Sequence, residues 1–127
     1  MKQLNYQTLQ DLNYDGYLLN EAPERVLQFG EGNFMRAFVD FFIDKMNETA
    51  NFNSKVVLVQ PIPKFTTPDV GDFINEQEGL YTLYLRGSEN GQEVSSKRVI
   101  SCISRCLNAY SDYEAVMECA KNPELRF

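Results

Sequence analysis

Arg25-Val-Leu-Gln-Phe-Gly-Glu-Gly-Asn-Phe-Met-Arg36 reads as a short apolar strand, a glycine turn and the first turn of a helix. Val26 to Phe29 supply the strand, two glycines follow in Gly-x-Gly spacing, and a helical pattern starts at Phe34. A strand that turns on glycines straight into a helix has the form of a dinucleotide-binding entrance. Gly30 allows the tight turn. Gly32 lacks a Cβ, so backbone can come close to a pyrophosphate, whose charge is favoured by free N–H groups and the dipole at a helix start. A third glycine would fall at position 35, where the chain has Met35. The motif is therefore Gly-x-Gly-x-Phe-x-Arg, and a plain glycine turn stays open beside the nucleotide reading.

Outward from this stretch, residues 1–24 form a polar, tyrosine-dotted amino-terminal arm with a turn signal at Tyr14-Asp-Gly-Tyr17 and Pro23 ahead of the strand. On the other side, Asn33 is placed to cap a helix from about Phe34 to Glu48. Arg36, Asp40, Asp44, Asn47 and Glu48 make its polar stripe, and Phe34, Phe38, Phe41, Phe42 and Met46 imply an apolar face buried on a sheet. Lys55-Val-Val-Leu-Val-Gln60 is apolar on both faces, as a parallel strand covered by helices is. Strand, helix and strand make one parallel βαβ unit. Pro61, Pro63 and Pro68 predict an irregular stretch over the carboxyl edge of the sheet, in which Asp69, Asp72, Glu76 and Glu78 read as a solvated charge cluster. Tyr81 to Arg86 alternates, Asn90-Gly91 is a hairpin signal, and Glu93 to about Ile103 returns as the partner strand. Ser111 is placed to cap a last helix through Lys121, and Leu125-Arg-Phe127 resembles the start of a further strand. The fold class expected from this order is α/β: an incomplete Rossmann-like dinucleotide-binding domain, residues 25–127, with an inserted antiparallel β-hairpin.

Composition narrows the function classes. At 127 residues, 43% hydrophobic and 24% charged, the chain suits a single globular domain with a real core. A net charge of −6 and a pI near 4.6 argue against nucleic acid as the main partner, because phosphate binding needs a clustered basic face. No apolar run approaches the ~18 residues of a membrane-spanning helix, and Met1-Lys-Gln-Leu-Asn-Tyr6 lacks a signal-peptide core, so the cytoplasm is the expected compartment. Cys102, Cys106 and Cys119, odd in number and without C-x-x-C spacing, read as reduced core residues. The chain has no histidine, which removes the commonest general base and metal ligand, and no metal site is expected. Neither a tyrosine-lysine pair at four-residue spacing nor a Gly-x-x-x-x-Gly-Lys loop is present.

Arg36 sits where a guanidinium can reach a pyrophosphate bidentately, or pair with Asp40 one turn on. Cofactor choice turns on the end of the second strand. An acidic residue there would bind a ribose hydroxyl and a nearby cation would favour a 2′-phosphate, but the position holds Gln60, with Lys64 a little further on. By itself this leaves NAD and NADP open.

Val26-Leu-Gln-Phe-Gly-Glu-Gly-Asn-Phe-Met-Arg-Ala37 with Phe38-Val-Asp40 is similar to the amino-terminal signature of the mannitol dehydrogenase family of polyol and sugar-acid dehydrogenases. The likeness continues through Val57–Ile62, Gln77–Thr82, Leu85–Gly87 and Asn122–Phe127, and so covers nearly the whole chain. In that family Gly-x-Gly-x-Phe-x-Arg is the normal cofactor loop. The resemblance implies NAD as cofactor, a sugar acid as substrate, and a loop made of Gln28, Phe29, Gly30, Glu31, Gly32, Asn33, Phe34, Met35 and Arg36, with Gln60 beside it. Family members are several times longer and carry their catalytic lysine, asparagine and histidine in a helical carboxyl-terminal domain. The chain is therefore expected to be an amino-terminal fragment without catalytic residues, inactive alone and prone to self-association. A mannonate or mannitol dehydrogenase is the alternative within the family, and a stand-alone, non-catalytic nucleotide-binding or interaction module the alternative outside it.

Overall fold

A computed structural model describes residues 2–127. In chain order the elements are α1 (Tyr6–Asp11), β1 (Glu24–Phe29), α2 (Asn33–Ala37), α3 (Val39–Ala50), β2 (Lys55–Gln60), α4 (Val70–Glu76), β3 (Tyr81–Glu89), β4 (Gln92–Ile100), β5 (Ile103–Asn108) and α5 (Tyr113–Cys119). β1, β2 and β5 form a parallel sheet in the order β1-β2-β5, and β3 and β4 an antiparallel hairpin. All six residues of β2 are buried, as expected of a central parallel strand, because helices cover both faces of the sheet. On one face Val56 and Leu58 meet Ile43 of α3, Ile74 of α4, the hairpin root at Tyr81 and Ile100, and Cys102 and Cys106. On the other, Val57 and Leu107 meet Cys119 of α5. All three cysteines are buried and unpaired.

The hairpin closes on Asn90 and Gly91, both at positive φ, as the Asn-Gly signal predicts. At the outer edge of β1, the Phe127 N–H donates to the Arg25 carbonyl and the Leu27 N–H to the Phe127 carbonyl, which is the alternation of a parallel ladder. Leu125–Phe127 thus does begin to pair as a strand. The arm carries α1, capped by Asn5, and its Leu9 is buried against Leu80 and Val99. The buried ammonium of Lys55 at the start of β2 ties it down, donating to the Leu19 and Ser101 carbonyls.

Several expectations fail, each for a physical reason. The helix expected over 34–48 is broken at Phe38, whose φ/ψ of −117°/−73° separates α2 from α3. Gly32, not Asn33, stands at the N-cap of α2. The middle of the polar stripe is the buried face: Asp40 and Asp44 are 0% exposed and Asn47 6%, while Arg36 is half-buried, Glu48 is exposed, and Phe34, Phe38, Phe42 and Met46 lie outside. Burial is tolerated because partners reach these groups. Arg98 donates to Asp44, the Ser101 N–H does so too, and Asn47 exchanges two hydrogen bonds with the backbone of Ser54. Of the aromatic residues assigned to the core only Phe41 packs there, beside Val39. Asp69 and Asp72 are not a loose charge cluster but the two halves of a capping box that starts α4. The strand expected to run from Glu93 to Ile103 ends at Ile100; the chain turns a buried corner at Ser101-Cys102, and Ile103–Asn108 joins β2 in parallel as a third strand. The last helix starts one residue later than Ser111 would place it, with Asp112 at its N-cap.

Candidate cofactor loop at the carboxyl edge of the sheet

β1, β2 and β5 end side by side at Phe29, Gln60 and Asn108, the edge where parallel α/β sheets bind ligands. Beyond β1, the Gly30 N–H still donates to the Val59 carbonyl at 2.8 Å, and Gly30 then turns at φ +120°, a conformation that disfavours any residue with a Cβ. Gly32 is different. Its φ/ψ of −65°/168° suits any amino acid, and a Cβ built on it would meet, beyond its two chain neighbours, no atom of the described residues within 4 Å. No packing or backbone strain in this chain calls for glycine there; what a side chain would occupy is the open space before the loop.

Arg36 braces the loop from within. Its Nε donates to the Glu31 carbonyl at 2.8 Å and its Nη2 to Asn33 Oδ1 at 2.6 Å. Its own carbonyl accepts from the Tyr81 hydroxyl at 2.6 Å, and its guanidinium lies 5.6 Å from the Tyr81 ring centre. No ion pair joins it to Asp40 among the described residues; Asp40 instead accepts from Gln28 Nε2. Burial drives the Tyr81 phenol far above its ordinary range, so it acts only as a neutral donor. Phe29 and Phe34 stand out at 62% and 72% exposure, Phe34 stacked on Phe38 with ring centres 5.3 Å apart, and Met35 is half-buried.

The two glutamines among the candidate residues are not displayed. Gln28 is buried beneath the loop and donates to the Gly30 carbonyl at 3.0 Å. Gln60 is buried too, and its Nε2 donates to Asp69 Oδ2 at 3.0 Å, fastening the end of β2 to the start of α4. Lys64 donates to Asp72 Oδ1 at 2.6 Å and lies 3.9 Å from Asp69 Oδ1; Asp72 holds the ammonium above its ordinary range, and Lys64 holds the Asp72 carboxyl below its own. Asp40, Asp69 and Tyr81 are the residues around this edge to which sequence reasoning gave no part in the site. Only Asp69 carried a local signal, the Asp-x-x-Asp spacing of a cap after Pro68.

Residues 24–127 match the family model described as the mannitol dehydrogenase Rossmann domain. The chain belongs to the mannitol dehydrogenase family. It is 48% identical over 116 residues to the altronate oxidoreductase of Phocaeicola vulgatus, covering 91% of this chain and 23% of that protein. To the altronate oxidoreductase of Bacillus subtilis it is 44% identical over 122 residues, covering 94% of this chain and 24% of that one. The chain thus spans less than a quarter of the length of these curated relatives. Among solved structures it is similar to Pseudomonas fluorescens mannitol 2-dehydrogenase in its ternary complex with NAD and D-mannitol, with a TM-score of 0.75 and 26% identity over 98% of this chain and 25% of that one. A substrate-free D-sorbitol dehydrogenase, at TM-score 0.78 and 23% identity, shares the fold. The family and the Rossmann-type fold read from the residues are both borne out: this mannitol dehydrogenase family chain combines a parallel sheet with the expected antiparallel hairpin. Among the described residues no helix is long and apolar enough to cross a membrane, and no group of three or more His, Cys, Asp or Glu side chains is placed to hold a metal ion.

Proposed function

We propose that this chain binds NAD(H) as the cofactor segment of a cytoplasmic oxidoreductase that reversibly reduces D-tagaturonate to D-altronate, a step of hexuronate breakdown. The observation that carries the reading is Gly32, a glycine whose backbone does not need to be one and whose missing Cβ leaves space for a ligand rather than for protein. The pyrophosphate would lie along the backbone of Gly30, Glu31, Gly32 and Asn33, with Arg36 as the nearby cation, Phe29, Phe34 and Met35 as apolar walls, and Gln28 and Gln60 as supports behind. Bound NADH supplies the hydride. This chain's own residues hold and orient the cofactor; the proton donor and the groups that hold the ketone belong to the remainder of proteins of the relatives' length. Lys64 supports NAD over NADP, since its ammonium is already neutralised by Asp72 and Asp69 and is not free for a 2′-phosphate. The substrate rests on the two altronate oxidoreductases; the likeness to mannitol 2-dehydrogenase favours another polyol or sugar-acid dehydrogenase as the second reading.

The proposal divides the chain into an arm, residues 1–24, and a partial cofactor domain, residues 25–127. It includes self-association of the chain through the exposed row of Phe34, Phe38, Phe42 and Met46, which light scattering at several concentrations tests. The cofactor reading is tested by titrating the chain with NADH in a calorimeter. The native chain is expected to bind, Gly32→Val to lose measurable binding while keeping its fold, and neither to oxidise NADH when D-tagaturonate is added. An unchanged dissociation constant in a folded Gly32→Val chain would remove the proposal's main support.

A further inference from the structure

Under the glycine loop lies a buried polar pair. Gln28, near the end of β1, and Asp40, in the first turn of α3, are 5% and 0% exposed. Gln28 Nε2 spends its two N–H groups on the Gly30 carbonyl at 3.0 Å and on Asp40 Oδ2 at 3.1 Å. The amide oxygen of Gln28, Oε1, and the second carboxyl oxygen of Asp40, Oδ1, are buried with no hydrogen-bond partner among the described residues. Two orphaned acceptors on two side chains already joined by one hydrogen bond is an unusual arrangement, because a buried polar atom normally finds a donor. If Asp40 were ionised, both oxygens would be acceptors only, and neither could satisfy the other. One proton on the Asp40 carboxyl removes the conflict: a carboxylic acid facing a primary amide donates its O–H to the amide oxygen while accepting the amide N–H.

The surroundings favour that neutral form. Arg36 of α2, the nearest cation, is turned to the Glu31 carbonyl and Asn33 and makes no pair with Asp40 among the described residues. From β3 the neutral Tyr81 hydroxyl donates to the Arg36 carbonyl, and the Cys102 thiol donates to the backbone carbonyl of Asp40. One turn on in α3, Asp44 is a second buried carboxyl, engaged by Arg98. Burial pushes the Asp40 carboxyl up to about 6, against smaller opposing effects of the Gln28 hydrogen bond and the Arg36 charge.

We propose that Asp40 is a positioning residue that works as a neutral acid: it shares one proton with Gln28, and the pair holds the Gly30 carbonyl so that the loop keeps its shape for the cofactor phosphates. The proton comes from solvent. A bound pyrophosphate adds negative charge above the loop, so binding draws the proton in and ionisation of Asp40 weakens binding. The role in binding rests on the NAD(H) reading of the loop; the acid–amide pair does not.

The test uses the whole chain and the variants Asp40→Asn and Asp40→Ala. Asparagine is a permanent copy of the neutral acid, since its Nδ2 can donate to Gln28 Oε1 while its Oδ1 accepts from Gln28 Nε2. Carbon NMR of chain labelled at its aspartate carboxyls, with no cofactor present, is expected to show one carboxyl, missing from Asp40→Asn, that titrates at about pH 6 or above; titration of that carboxyl near its ordinary value of about 4 overturns the pair. NADH calorimetry from about pH 5 to about pH 8, in buffers of different ionisation heat, is expected to show proton uptake on binding by the native chain. Native affinity falls with rising pH, by about tenfold for each pKa unit that binding adds to the carboxyl. Asp40→Asn then binds more tightly than the native chain at the alkaline end and takes up no proton, while Asp40→Ala is weaker throughout. The same fall with pH in Asp40→Asn, or no proton uptake by the native chain, overturns the positioning role. No NADH binding by any of the three overturns the NAD(H) reading and the positioning role with it, whereas the NMR titration still decides the pair.

Discussion

Of the three βα junctions at the carboxyl edge of the sheet, the first two are finished in opposite ways. After β2, the start of α4 is closed: Asp69 and Asp72 cap each other's backbone N–H groups, Gln60 is fastened to Asp69, and Lys64 lies on both carboxylates. After β1, the start of α2 is open: Gly32 has no side chain to cap with, and the polar groups that stiffen the loop, Gln28 and Arg36, hold its carbonyls from beneath and from within. The closed junction satisfies itself and works as a joint. The open one is rigid yet leaves a backbone surface free, which is what a preorganised anion site requires.

The contrast can be broken at its buried carboxyl. Asp40, at the open junction, has its folded pKa raised to about 6 from an ordinary 3.8, so between those values the folded state binds the extra proton. Its contribution is therefore present below about pH 4 and declines as pH rises to about 6, by about 3 kcal/mol at most. Asp72, at the closed junction, is held below its ordinary range by Lys64, and its contribution is present at neutral pH and lost as pH falls below that range. Urea unfolding at a series of pH values, on the native chain, Asp40→Asn and Asp72→Asn, reads both slopes. A native chain whose slope between about pH 4 and about pH 6 is unchanged in Asp40→Asn would contradict the first.

The glycines sharpen the same contrast. A Cβ on Gly71 of α4 would lie 2.6 Å from Gln60 Oε1 and 3.1 Å from Cys106 Sγ, both in buried side chains, so Gly71→Ala is expected to cost about 1–3 kcal/mol through overpacking. Gly32→Val, with open space around its Cβ, should change stability by no more than about 0.5 kcal/mol. Thermal unfolding compares the two directly, and equal losses would mean that the first junction is packed after all. The cations differ as well. Arg36→Ala should weaken NADH binding by about tenfold, the value of one hydrogen bond to a charged group. The smallest expected effect is at Lys64, exposed and already paired with Asp72 and Asp69, where Lys64→Ala should change binding by less than about twofold. Calorimetric titration of both decides whether Arg36 serves the cofactor or only the loop.

Much of this was legible in the residues. Val26–Phe29, Lys55–Gln60 and the Asn90-Gly91 turn were read at or near their true limits because period and turn chemistry are local. Gly30 and Gly32 stood out for the same reason. The third parallel strand was missed because Ser104 and Arg105 break its apolar run; both lie part-exposed and donate to Glu24, a partner about eighty residues away. Helix α4 was hidden by its own cap, since Asp69 and Asp72 look like loop charges until their N–H partners are known.

The sequence by itself determined the order of strand, glycine turn, helix and buried strand, and with it the fold class, because each of those depends on residues within a turn or two of one another. Which face of α3 is buried was decided by tertiary structure alone. Polarity along that helix points Asp40, Asp44 and Asn47 at solvent, yet Gln28, Arg98, Ser101 and Ser54 come from four other parts of the chain to receive them, and Phe42 and Met46 are left outside. A polar side chain is costly to bury only when it lacks a partner, and whether a partner arrives is a property of the folded chain that no local pattern contains.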